Sequence, residues 1–205
     1  MPHKKKTHII FFGDSITELA VRPGGYIARM DSMLTAHDLS ASYQLTGSGV
    51  SGNKIYDLYL RLEDDVISKK PDMVVIYIGV NDVWHKRSLR TGTDADKFER
   101  FYNAIIKKLQ SHHIKVILCT PAFIGEKTNM GNEQDAELNL YCDIIRNIAA
   151  QNSLPLVDLR TTLTAYDQKN NPGNDPYGIL TADGVHLNAM GNELVAEEMW
   201  KAVIK

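Results

Sequence analysis

The 205-residue sequence predicts an α/β fold, a three-layer αβα sandwich built around a five-stranded parallel sheet. Two observations carry this expectation. Short apolar runs rich in β-branched residues alternate with longer stretches of helical period, the signature of repeated strand–helix–strand units. The central runs, Met73-Val74-Val75-Ile76-Tyr77-Ile78 and Val116-Ile117-Leu118, are apolar on both faces, as a sheet covered by helices on both sides requires. With 43% hydrophobic and 23% charged residues, the composition is that of an ordinary globular domain. A chain of this length buries roughly 70% of its unfolded surface in one core, so a single domain spanning residues 1–205 is expected.

In chain order, the first strand is expected at residues 7–12, where Ile9, Ile10, Phe11 and Phe12 follow a short lysine run. A helix near 24–37 and a strand at 42–47 come next, then a helix near 54–68 and the central strand at 72–78. A helix near 94–112 leads to a strand at 114–119, a helix near 132–151 to a strand at 154–157, and a helix near 189–204 ends the series. Pro71, Pro121 and Pro155 fall at the boundaries of these elements, where a missing N–H does little harm. Asp167–Gly178, with Asn170-Asn171-Pro172-Gly173-Asn174-Asp175-Pro176, is too polar and turn-rich for core and is expected to be a loop able to contribute to a site.

Several functions are excluded by composition. The net charge is −2, and the cationic run Lys4–Lys6 is three residues long, so there is no basic field for nucleic acid. No segment approaches the ~18 consecutive apolar residues of a membrane span. The apolar stretch after Lys6 is too short for a secretory signal and ends in Gly-Asp-Ser, so a cytoplasmic location is expected unless a leader has been removed. Cys119 at a strand end and Cys142 inside a helix have no metal-ligand spacing around them and read as two buried free thiols. The oligomeric state leaves no mark on the sequence.

In an open α/β sheet, ligands bind beyond the carboxyl ends of the strands, so the residues after each strand deserve inspection. Gly13-Asp14-Ser15-Ile16-Thr17 follows strand one, Gly49-Val50-Ser51-Gly52-Asn53 strand two, and Gly79-Val80-Asn81-Asp82 strand three, while Asp183-Gly184-Val185-His186 precedes the last helix. Acyl transfer needs a nucleophile, a base, a group that orients the base, and donors for the developing oxyanion. This rim offers all four. Ser15 supplies a hydroxyl at a tight turn into a helix. His186 has an acidic neighbour three positions back, and Asp183 at that spacing can take the imidazole Nδ1–H and leave Nε2 facing Ser15. The backbone N–H groups of Ser15 and Gly52 and the side-chain amide of Asn81 form the donor set; the amide donates without carrying charge.

Each residue also has a plainer reading. Ser15 alone would be a helix cap, and Ser51, flanked by glycines, is read as turn chemistry. Neither serine stands in a Gly-x-Ser-x-Gly elbow. Asp14 and Asp82 are read as carboxylates anchoring turns, with no His-x-x-x-His or Asp-x-Asp cluster to make a metal site. His3, His8 and His37 lack an acidic partner at useful spacing, and His112-His113 closes a helix.

Taken together, the four ordered blocks resemble the GDSL (SGNH) hydrolase family of serine esterases and lipases. They run from Gly13 to His186, most of the chain, and only Ile16 departs from the family name, which carries Leu there. The resemblance implies a flavodoxin-like fold with strand order 2-1-3-4-5 and a site without metal or cofactor. It also implies the roles above: Ser15 as nucleophile, His186 as base, Asp183 as its orienter, and Gly52 and Asn81 as oxyanion donors. The expected activity is hydrolysis of small carboxylic esters through an acyl-enzyme. With no apolar insertion to form a lid, a short acyl group such as acetyl is expected, on a sugar or simple alcohol. Tyr56, Trp84, His85, Phe123 and Tyr177 are candidate pocket walls, although Trp84 reads equally well as packing. The alternative is a non-catalytic flavodoxin-like module holding a flavin or phosphate at the first turn, against which stand the carboxylates of Asp14 and Glu18.

Overall fold

A computed structural model of the protein describes residues 5–129 and 131–204; His3 and Lys4 lie outside the described residues. Five strands, β1 (Thr7–Gly13), β2 (Tyr43–Gly49), β3 (Met73–Tyr77), β4 (Lys115–Cys119) and β5 (Leu156–Val157), form one parallel sheet in the order β2-β1-β3-β4-β5. Architecture and strand order are those expected. The register aligns the strand ends: Gly13 sits beside Gly49 on one side and Tyr77 on the other, and Tyr77 beside Cys119. The segments that follow the strands therefore leave the sheet at one level, and the order reverses at β1, where a ligand crevice is expected.

Among the described residues there are eight α-helices rather than five: α1 (Ser15–Ala20), α2 (Tyr26–Ala36), α3 (Ile55–Asp65), α4 (Val80–Ser88), α5 (Ala95–Ser111), α6 (Asp135–Gln151), α7 (Leu159–Asn170) and α8 (Ala189–Val203). The three additional ones are α1, α4 and α7, and each lacks a readable apolar stripe. With six residues, α1 is shorter than two turns. The buried face of α4 includes Asn81, Asp82 and His85, and that of α7 includes Arg160 and Asp167 beside Leu159 and Leu163. Asp167 is only 2% exposed, so the start of the stretch expected to be loop is helical and packed; the irregular chain begins after Asn170.

Alternation along the strands sorts the core into two layers. Ile10, Phe12, Val74, Ile76, Val116 and Leu118 face one side, where α3, α5 and α6 contribute Leu58, Phe98, Tyr102 and Ile145. Ile9, Phe11, Val75, Tyr77, Ile117 and Cys119 face the other, meeting α1, α2, α7 and α8 through Ile16, Tyr26, Leu163 and Met199. Each such aliphatic or aromatic side chain contributes about 1.5–3 kcal/mol of hydrophobic free energy. Cys119 and Cys142 are both buried and unpaired, and burial pushes the Cys142 thiol up to about 12. Among the described residues, no helix is long and apolar enough to cross a membrane.

Candidate active site

The chain turns from β1 into α1 within one residue. Asp14 caps α1, its Oδ1 accepting the Ile16 N–H at 3.0 Å, and Ser15 is the first helical residue, where backbone N–H groups lack intrahelical partners. Gly13 makes the turn possible: a Cβ there would stand 2.4 Å from both the Tyr77 carbonyl oxygen and Thr17 Oγ1. Behind Ser15, burial pushes the Asp14 carboxyl up to about 7.

His186 comes from the far end of the chain. Its loop is closed by an antiparallel bridge between Thr181 and Leu187 and by the Ala182 N–H donating to the His186 carbonyl at 2.8 Å. Asp183 Oδ1 accepts the N–H groups of Val185 and His186 at 3.0 and 2.8 Å, and its Oδ2 accepts His186 Nδ1–H at 2.7 Å. With Nδ1 engaged, Nε2 is left as the acceptor, and it lies 3.0 Å from Ser15 Oγ. Burial raises the Asp183 carboxyl, but the hydrogen bonds from the His186 ring and from the two backbone N–H groups outweigh it and hold the group below its ordinary value. Ser15, His186 and Asp183 thus form one hydrogen-bonded chain, as the sequence blocks anticipate.

The third group of predicted residues follows β2 and β3 on the same rim of the sheet. Gly52 occupies the left-handed region at φ 79°. Asn81, 2% exposed in the first turn of α4, donates from Nδ2 to the Asn53 carbonyl at 3.1 Å, which joins α4 to the Gly52 loop. Asp82 reinforces that junction, its two oxygens accepting the Ile55 N–H at 3.2 and 3.3 Å, and burial pushes its carboxyl up to about 7. The rival serine, Ser51, gives both its N–H and its hydroxyl to Glu18 Oε2 at 2.6 Å. Those hydrogen bonds hold the Glu18 carboxyl below its ordinary value, so a negative charge stands at the first turn, where it opposes a phosphate.

Two of the five candidate wall residues reach this cluster. The Trp84 ring meets His186 edge-on at 6.3 Å between centroids and lies 5.6 Å from His85. His85 borders Gly52, since a Cβ on that glycine would sit 3.9 Å from His85 Cε1; burial, with Lys54 nearby, lowers its basicity. For the other three, contacts or exposure outside this cluster are what the structure shows. Tyr56 packs near Phe101 at 6.4 Å and under the Lys54 ammonium at 5.7 Å. Phe123 is 3% exposed in the core, with the Arg160 guanidinium 5.9 Å from its ring; an aromatic with no polar atom just after a strand is claimed by packing. Tyr177 is 57% exposed on the loop after α7.

Two residues central to this arrangement carry no sequence signal. Glu126 is fully buried and accepts the N–H groups of Ile179 at 2.8 Å, Leu180 at 3.0 Å and Thr181, holding the base of the His186 loop. Arg61, on α3, reaches the turns after both β1 and β2.

Comparison with known proteins places this geometry in context. The profile of the GDSL-like lipase/acylhydrolase family matches residues 11–194. The crystal structure of an acetyl xylan esterase, AlAXEase, is similar with a TM-score of 0.95 and 59% identity, covering 96% of this chain and 100% of that chain. The acetylxylan esterase of Geobacillus stearothermophilus is 28% identical over 213 residues, 95% of this chain and 93% of that protein. Its solved structure matches with a TM-score of 0.85, covering 100% of this chain and 97% of that chain, and catalytic mutants with a serine or a histidine replaced by alanine have also been solved. The isoamyl acetate-hydrolyzing esterase of Saccharomyces cerevisiae is 23% identical over 217 residues, 95% of this chain and 84% of that protein.

Proposed function

The chain belongs to the GDSL-like lipase/acylhydrolase family and is an ester hydrolase, and from that premise we propose that it cleaves short acyl esters, acetyl foremost, of sugars or simple alcohols through an acyl-enzyme on Ser15. The observation that carries the proposal is the hydrogen-bonded chain Ser15–His186–Asp183. In this mechanism the Ser15 hydroxyl gives its proton to His186 Nε2 as Oγ attacks the ester carbonyl carbon. The carbonyl oxygen becomes an oxyanion and accepts from the N–H groups of Ser15 and Gly52 and from Asn81 Nδ2. As the tetrahedral intermediate collapses, the imidazolium protonates the departing alkoxide and the acyl group stays on Oγ. A water then repeats the sequence, with His186 taking its proton and returning one to Ser15. Asp183, ionised below the ordinary carboxylate range, stabilises the imidazolium in both halves.

The preference for acetyl is supported by the relatives, two of them acetylxylan esterases and one an isoamyl acetate-hydrolyzing esterase, and by the bulk of Trp84 beside His186. The test is acid release from p-nitrophenyl acetate, butyrate and palmitate and from acetylated xylo-oligosaccharides, by the wild type and by Ser15→Ala. The substitution is expected to lower kcat by at least about 10³-fold, with acetate the best acyl group. Hydrolysis by the alanine variant at the wild-type rate would refute the nucleophile, and faster cleavage of palmitate would refute the short-acyl preference.

A further inference from the structure

We propose that Arg61 is a positioning residue that sets the distance between the nucleophile turn and the oxyanion donors. Each of its five N–H groups has an acceptor. Nη2 donates to the Gly13 carbonyl at 2.7 Å and the Ser48 carbonyl at 3.1 Å, Nη1 to Ser48 Oγ at 3.1 Å and to Asp65 Oδ2, and Nε to Asn53 Oδ1 at 2.7 Å. The guanidinium plane also rests on Phe12 of β1, with Cζ 4.4 Å from the ring centroid.

The acceptors are distributed in a telling way. Gly13 is two residues before Ser15. Ser48 is near the end of β2, where the chain leaves for Gly52, and Asn53 is the residue after Gly52. The Asn53 carbonyl is in turn the acceptor for Asn81 Nδ2. A continuous path of hydrogen bonds therefore runs from the residue preceding the Asp14-Ser15 turn, through one rigid planar cation, to the Gly52 loop and on to the Asn81 amide. β1 and β2 pair as far as Gly13 and Gly49, and Arg61 stands where that ladder ends. Beyond it the Val50 N–H reaches the Gly13 carbonyl at 3.2 Å and Glu18 holds Ser51; Arg61 is the link that also engages Asn53.

Lysine cannot substitute. Its ammonium has three donors at one point, whereas the guanidinium spreads five over a fixed fork that spans three chain segments. Loss of the fork lets the Gly52 loop shift relative to Ser15, and a misplacement of ~1 Å is enough to cost as much as ~10²-fold in rate. Because the oxyanion exists only in the transition state and intermediate, such a loss falls on kcat rather than KM.

The inference rests on the reading of Gly52 and Asn81 as oxyanion donors, and a double-mutant cycle separates the two. Wild type, Arg61→Lys, Asn81→Ala and the double variant are compared for kcat and KM on p-nitrophenyl acetate, with thermal unfolding of each. Asn81→Ala is expected to lose about 10²- to 10³-fold in kcat; near wild-type kcat in that variant would refute the donor assignment itself. Arg61→Lys is expected to lose on the order of 10- to 100-fold in kcat with KM changed less than about twofold. In the Asn81→Ala background the same change is expected to cost less than in the wild type, because one of the two donors that Arg61 positions is already gone. An undiminished loss in that background, or wild-type kcat in folded Arg61→Lys, overturns the inference. Should Arg61→Lys not fold, Asn53→Ala removes only the Nε acceptor and takes its place in the cycle; wild-type kcat there overturns the inference equally.

Discussion

Asp183 divides its two oxygens between structure and chemistry: Oδ1 gathers the N–H groups that fold the Asp183–His186 turn, and Oδ2 holds the imidazole. An amide in its place could still accept from the backbone, but it could not counter an imidazolium, and it could turn its NH₂ toward Nδ1 and reverse the tautomer. Asp183→Asn is therefore expected to fold normally and to lose about 10²- to 10⁴-fold in kcat on p-nitrophenyl acetate. Retention of more than half the wild-type kcat would show that His186 needs no orienting charge. This pair was legible in the sequence because both partners lie in one turn, three positions apart. Glu126 was not, because its partners are N–H groups of a distant segment, and backbone atoms are the same in every sequence; Arg61 was not, because its pairing with Asp65 four residues on reads as an ordinary helix-surface ion pair, and its carbonyl partners leave no mark. Phe123 and Tyr56 are aromatic and so suit either a pocket wall or packing, and their residue type alone does not distinguish the two.

The junction of β1 with α1 places an ionisable cap in the interior. Burial pushes both the Asp14 and the Asp82 carboxyl up to about 7. A carboxyl whose folded value is raised binds its proton more tightly in the native state than in the unfolded chain, where it titrates near ~4. The stability it contributes is then complete below ~4 and is lost progressively as pH rises toward 7. Asn caps a helix about as well as Asp and does not ionise, so Asp14→Asn is expected to lose less stability than the wild type between pH 5 and pH 8. Urea unfolding midpoints at the two pH values provide the measurement, and equal losses in both proteins would contradict the expectation. The same junction explains which elements the sequence concealed. Long helices such as α5 and α6 have a continuous apolar face, whereas α1 and α4 are short and turn polar groups such as Ser15, Thr17, Asn81 and Asp82 inward. Site-forming helices break the pattern by which helices are found.

Across the molecule, the sheet order was implied by the motif blocks rather than by periodicity, because alternation of strands and helices is shared by many orders. Contacts between layers were less legible still. The clearest is the buried pair Arg160–Asp135, at 2.8 Å, which ties α7 to α6 while Arg160 also donates to the Ala122 carbonyl at 2.7 Å and to Asn139 Oδ1 at 2.8 Å. Arg160→Ala would leave the Asp135 carboxylate buried without its counter-ion and is expected to destabilise the fold by about 3–5 kcal/mol, read from urea denaturation; a loss below about 1 kcal/mol would mean that the site relaxes or hydrates easily. A last consequence follows from the span between Ser15 and His186, which stand 171 positions apart. In the proposed mechanism the nucleophile follows β1, beside the central strand β3, while its base stands beyond the last strand, in the loop before α8. Under that mechanism, a local opening that frees the Asp183–His186 loop separates base from nucleophile and stops turnover while the core stays folded. Measured turnover then reports the docking of that loop as well as the folding of the sheet.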